Sequence, residues 1–332
     1  MYVTGLGSSP QKPRPDKSAR SAVDAAWNSL IGSRYRAWGV AFALAGVLAF
    51  SLRPIWIKLA YAVPISAGSV SPITLLFLRL TLALPLFAVI AFLLRGREPR
   101  LAARDWWAVA GLGFIGFYLA SLLDFVGLQY VDAGLGRLIL FLYPTLVLLL
   151  SFLLLGKAPS RREIMATVIG YAGIALVVSK SIGPQNEAAS ILMGTGLIFV
   201  SALCFAVYLV CGGQMVRRIG SMRFTAYTMI ASTVPATLQF FALEPLSALW
   251  LPPAVWTYAI ILAAFSTVLP VLLQAEALKR IGANQFAVIG GAGPVITAVA
   301  GTLGLEEPFT MLQTAGAALV IVGVMFVSLK RS

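Results

Sequence analysis

Five ionisable side chains stand inside long apolar runs of this 332-residue chain: Arg53, Lys58, Arg79, Asp124 and Arg137. A charge facing hydrocarbon at the centre of a spanning helix costs about 2.5–3.5 kcal/mol or more, so such groups face a polar cavity, a partner or the interface. Four cations against one carboxylate favour an anionic or zwitterionic small solute. Arg53, Arg79 and Arg137 are therefore candidate substrate-binding residues, with Arg53 and Arg79 holding the acidic group. Tyr118, Tyr208 and Gln274 are the neutral candidates for the rest of the solute. Asp124 and Lys58 are candidate gating or coupling residues. The chain has no histidine, which removes the commonest general base, metal ligand and proton relay. No catalytic residue, metal or cofactor is expected, and proton coupling would rest on Asp124 alone.

Depth along each run sharpens these roles. At 1.5 Å per helical residue, Lys58, Arg79, Asp124 and Arg137 lie roughly 6–10 Å below one surface and Arg53 about 15 Å. Lys58 can snorkel to that surface. Arg53 is too deep to do so and precedes Pro54, which frees a carbonyl and kinks a helix. Asp124 and Arg137 fall at matching depth on consecutive runs, as a structural ion pair or as a gate. Arg53 and Lys58 are roughly 140° apart on an ideal helix, so one pocket takes both only if Pro54 bends the chain. Tyr118 and Ser121 share a helical stripe with Asp124, and Ser201, Cys204, Tyr208 and Cys211 form another. Ser266, Pro270 and Gln274 form a third. Glu276 sits three and four residues before Lys279 and Arg280, the spacing of a helical ion pair. Cys204 and Cys211 read as packing residues, because two helical turns separate them.

Ten apolar stretches carry these residues, at about 38–62, 72–95, 106–128, 131–155, 164–180, 191–213, 224–243, 254–277, 281–304 and 309–329. Each approaches the ~20 residues that a helix needs to cross a ~30 Å hydrocarbon core. Twenty of the 25 basic residues lie before the first stretch or after the even-numbered ones. By the positive-inside rule both termini face the cytoplasm, making this a multi-pass protein of the cell inner membrane. Residues 1–36, rich in Pro, Ser and basic side chains, read as a disordered basic cytoplasmic tail.

With 59% hydrophobic and 11% charged residues, the chain is no ordinary soluble domain, which carries about 25% charge. Its net charge of +13 is an orientation signal facing lipid headgroups, so the bilayer is a partner and nucleic acid is not. A membrane-embedded lipid-modifying enzyme would need clustered acids, histidine or a metal, and a receptor or scaffold would have a sealed core.

The stretches divide into five-helix halves, 37–181 and 190–330. A shift of 150 residues superposes Leu128 on Leu278, Ala133 on Ala283, Pro144 on Pro294 and Gly173 on Gly323. A shift of 157 superposes Gly39 on Gly196 and Phe42 on Phe199. An odd number of spans per copy turns the second copy upside down. The expected fold is thus an all-α membrane protein of ten transmembrane helices in two inverted five-helix repeats, with the site where they meet.

The segments FSLRPIWIKLAY (50–61), LLFLRLTLALP (75–85) and LDFVGLQYVDAGLGRLILFLYPTLV (123–147) resemble the EamA family of the drug/metabolite transporter superfamily. The resemblance continues in LLQAEALKRIGANQFAVIGGAGPVITAVAGTLGLEEPFT (272–310). It covers about residues 38–330 and implies a secondary transporter, often an exporter of amino acids and related metabolites. Lys157 stands where many members carry an acid. A multidrug efflux carrier is the rival within the fold; carriers of lipophilic cations usually present a buried acid, against the cationic bias here.

Overall fold

Apolar helices with abrupt internal breaks make up this protein, and the breaks follow its prolines and glycines. The computed structural model describes residues 17–65, 68–96, 101–156 and 185–307, with scattered positions over 160–173 and 311–322. The first half holds α1 (Lys17–Ser51), α2 (Arg53–Ala62), α3 (Pro72–Leu93), α4 (Ala103–Gly113), α5 (Ala120–Gly127), α6 (Ala133–Leu140) and α7 (Tyr143–Leu155). The second holds α8 (Gln185–Ile219), α9 (Ser221–Leu243), α10 (Pro253–Ala263), α11 (Leu269–Gly290) and α12 (Gly293–Leu305). A helix thus begins at Lys17, inside the segment expected to be a disordered tail; the run from Ser18 to Ala26 contains four alanines and neither Gly nor Pro.

Seven described helices are long and apolar enough to cross a bilayer: Arg34–Ala62, Pro72–Leu93, Ala103–Gly127, Ala133–Leu155, Ala188–Ile219, Ser221–Leu243 and Pro253–Gly282. A shorter apolar helix covers Gly293–Leu305. The stretches expected at 164–180 and 309–329 lie largely outside the described residues. Among the described residues the only β pairing is the bridge between Ile65 and Gly68.

Irregularities recur 150 residues apart. A π-helical turn joins α4 to α5 over Phe114–Leu119, and another joins α10 to α11 over Ala264–Val268. Pro85 lies inside α3 and Pro235 inside α9. Two turn residues split α6 from α7 just before Pro144, and two more split α11 from α12 just before Pro294. Gly156 ends α7 and Glu306 ends α12, both in left-handed backbone. Proline explains the splits, because its ring clashes with the carbonyl four residues back and it has no amide to donate.

Contacts are exchanged between the halves in the same register. α3 packs on α9, where Phe77 and Phe240 stack with centroids 4.3 Å apart. α4 packs on α9 while α10 packs on α3; α5 packs on α8 while α11 packs on α1. No half could bury its inner faces alone.

Two ends follow from this course. One, the basic end, carries Tyr35, Asp105, Arg218 and Arg280, with an Arg218–Asp105 bridge of 2.9 Å. The other carries Lys58, Asp132, Glu307 and the turn around Ile65.

Close approach of α5 and α8 requires glycine. A Cβ on Gly127 would lie 2.5 Å from Ile198 Cγ1 and 3.0 Å from the Gly194 carbonyl oxygen. Gly127→Leu is expected to destabilise the fold by about 1–3 kcal/mol through overpacking, read as a lower denaturation midpoint in detergent. Gly111→Ala, where the added carbon meets nothing within 4 Å, is expected to leave the midpoint nearly unchanged.

Candidate functional site

The helix breaks leave a cavity of about 400 Å³ between the halves. Its lining runs from Val216, Ser221 and Leu278 near the basic end to Arg53, Arg79 and Arg137 at depth. A space of that size accommodates a small organic molecule.

Each arginine reaches the lining from a different span and meets different company. Arg53 opens α2, immediately after the break at Leu52 and before Pro54. Its Nη2 donates to Asp124 Oδ2 in a buried ion pair between α2 and α5. Asp124 therefore pairs with Arg53 and not with Arg137, and it joins spans one and three where the sequence suggested three and four. Matching depth left the angular position around each helix open, and that position decides the partner. Asp124 itself stands behind Arg53, off the cavity lining.

Arg79 lies on α3, whose neighbouring side chains are apolar, and finds its partners on other spans. Its Nε donates to Thr267 Oγ1 at 2.8 Å and its Nη1 to Ser121 Oγ at 3.0 Å. Thr267 Oγ1 in turn donates to the Leu262 carbonyl at 2.8 Å, five residues back in the π-helical turn. Arg79 thus bridges the two π-interrupted spans.

Arg137, on α6, has no carboxylate partner among the described residues. Its Nε is buried without a hydrogen-bond partner. Its Cζ lies 4.5 Å from the centroid of the Phe50 ring, and its Nη2 sits beside Gly293 at the start of α12. The aromatic face supplies partial compensation for the charge, but none of the geometry of an anion.

Neutral groups complete the walls. Tyr208, Gln274, Ser201 and Ser266 line the cavity from the second half, with Phe117, Phe205 and Phe224 as apolar surface. Phe205 and Tyr208 stack at 5.9 Å, and Tyr208 and Phe224 at 5.4 Å. Tyr118 departs from its expected place: it packs into the core, and Phe117 takes the lining position. The cause is the π-helical turn, whose extra residue rotates Phe114–Leu119 relative to the stripe continuing through Ser121. Cys204 and Cys211 are free thiols off the lining.

Lys58 also points elsewhere. Its Nζ lies 3.1 Å from Glu307 Oε1 at the end opposite the basic one. Both Glu307 oxygens accept from the Ala133 amide, at 3.0 and 2.9 Å. Asp132 is adjacent, and burial, then the Glu307 charge, raise its carboxyl above the usual range against the opposing pull of Lys58. Glu276 pairs with Arg280, as its spacing predicted.

The EamA-like transporter family model matches this chain twice, over residues 37–179 and 192–329. The chain belongs to that family. Similar proteins include the Bacillus subtilis uncharacterized transporter YcbK, 32% identical over 89% of this chain and 92% of its own. The B. subtilis uncharacterized transporter YyaM is 28% identical over 79% and 86%, and an Archaeoglobus fulgidus uncharacterized transporter is 26% identical over 81% and 93%. A solved crystal structure at 19% identity shares the fold, with a TM-score of 0.60 over 88% of this chain and 96% of that one. This EamA-like protein is therefore a multi-pass membrane transporter and not an enzyme.

Three participants carried too little sequence signal to be singled out. Thr267 is one neutral residue in an apolar run, Phe50 is one of 19 phenylalanines, and Glu307 lies in a hinge where a carboxylate ordinarily meets water.

The Arg53–Asp124 pair gives a stability test. Asp124→Ala leaves a buried guanidinium uncompensated and is expected to cost about 3–5 kcal/mol. The double variant Arg53→Met/Asp124→Leu is expected to recover most of that loss, measured as a double-mutant cycle by denaturation in detergent.

Proposed function

We propose that this protein is a secondary carrier, working as an exporter, for a small organic solute bearing a carboxylate or phosphate. Amino acids and organic acids are the foremost candidates. The observation that carries the reading is Arg137, a cavity-lining guanidinium whose buried Nε has no partner. Arg79 adds a second cation held only by neutral hydroxyls, so three guanidiniums surround the site against the single carboxylate of Asp124. Broken helices reinforce the preference, because α2, α7 and α12 all begin near this depth, and helix N-termini favour anions. Tyr208, Gln274 and the aromatic wall would receive the remainder of the solute.

The reading includes ten spans as two inverted five-helix repeats, which rock about the cavity to expose it alternately. Support comes from the irregularities repeated at 150 residues, the exchanged contacts and the two successive matches to one family model. It also includes an inner-membrane location with the basic end and both termini in the cytoplasm, on the distribution of Lys and Arg. Coupling to protons through Asp124 would work by competition, since a solute anion and Asp124 would share Arg53; transport insensitive to an imposed pH gradient would remove that part. Efflux of lipophilic cations is the less favoured reading, because Asp124 is engaged by Arg53 and offers no free acid to the cargo.

A thermal-shift screen of the purified protein against amino acids, organic acids, nucleotides and lipophilic amines tests the proposal. Acidic solutes are expected to raise the midpoint. Arg79→Gln and Arg137→Gln are each expected to weaken that binding by roughly 10–100-fold, the loss of one charge-assisted hydrogen bond. Stabilisation by amines alone, or acid binding undiminished in the Arg79→Gln/Arg137→Gln double variant, would overturn it.

A further inference from the structure

We propose that Glu307 is the latch that closes the cavity at the end opposite the basic one. The proposal rests on the alternating-access reading, but not on the chemistry of the solute.

Glu307 ties three elements together. It lies just past α12 in the second half, pairs with Lys58 on α2, and caps α6 through the Ala133 amide, both in the first half. A carboxylate on the first turn of a helix meets unsatisfied amides and the positive end of the dipole, so it binds more strongly there than a neutral group would. Its position is built in. Glu306 takes a left-handed backbone at φ 55°, uncommon for a residue other than glycine, and the Glu307 amide donates back to the Gly301 carbonyl at 3.3 Å. That turn folds the side chain over α12, and Gly301 makes room: a Cβ there would lie 3.0 Å from Glu307 Oε2. The end opposite the basic one can open only if this link between the halves parts.

The cavity lining reaches Val216, Ser221 and Leu278 at the basic end, while the Lys58–Glu307–Ala133 link is closed at the other.

Spin-label distance measurements on solute-free protein test this, with Cys204 and Cys211 first replaced by Ala. Labels at Gln129→Cys and Thr302→Cys report the latched end; labels at Ser221→Cys and Lys279→Cys report the basic end. Glu307→Ala is expected to raise the ratio of separated to closed populations at the latched end by roughly fivefold or more. Glu307→Gln, which loses the ion pair but keeps one acceptor for Ala133, is expected to give a smaller rise. If Glu307→Ala folds poorly, Lys58→Met supplies the same test at the latched end. Unchanged distances at the latched end in folded variants, or separation at the basic end instead, would overturn the proposal. Failure of acidic solutes to bind would instead strike the anion reading and leave these distances untouched.

Discussion

A guanidinium enclosed by apolar helices must find its compensation within the reach of its own side chain, and the interior of this protein is arranged around that requirement. Arg53 takes a carboxylate, Arg79 takes two hydroxyls, and Arg137 takes the face of a phenylalanine. The three solutions are unequal. A full counter-charge satisfies Arg53, whereas hydroxyl oxygens and a ring face leave most of the charge on Arg79 and Arg137 unneutralised. The cavity against which all three stand therefore carries excess positive charge even before any solute enters.

That requirement accounts for where the backbone is irregular. Non-helical backbone at membrane depth is tolerated only where it is buried in protein or borders a polar space. The break at Leu52 positions Arg53 at a helix start. The π-helical turn near Thr267 turns its hydroxyl between the Leu262 carbonyl and Arg79. Just after the next split, Gly293 leaves room where Arg137 and the Ser51 hydroxyl come close. Proline and glycine fix these features locally, and each of them lies beside one of the buried arginines.

Much of this was legible because the cost of a buried charge depends on depth, and depth can be counted along a helix. That logic brought Arg53, Arg79 and Arg137 to attention, and each reaches the cavity lining, as do Tyr208 and Gln274. The pairing of charges was not legible. Asp124 meets Arg53 across 71 residues and Lys58 meets Glu307 across an even longer separation, and both depend on how distant helices are rotated. Tyr118 was misplaced for a local reason: a π-helical turn adds one residue to a stripe without changing composition or hydropathy. Repeated prolines pointed to duplication, but the exchanged contacts arise only when distant helices pack together.

The frame repeats at 150 residues while the charges do not. Arg79 corresponds to Met229, Arg137 to Ala287 and Asp124 to Gln274. A symmetric site would place equivalent cations from both copies against one another in a low-dielectric interior, where like charges repel strongly. Confining the lining cations to one copy avoids that repulsion and gives the cavity a direction, with all three arginines on the first half and uncharged groups alone from the second. Gln274 illustrates the division: in the position equivalent to the carboxylate that Arg53 binds, the second half presents an uncharged amide to the cavity. On the proposed reading, a solute with an acidic head and an uncharged body would have only one favourable orientation, although the frame around the cavity follows a repeated plan.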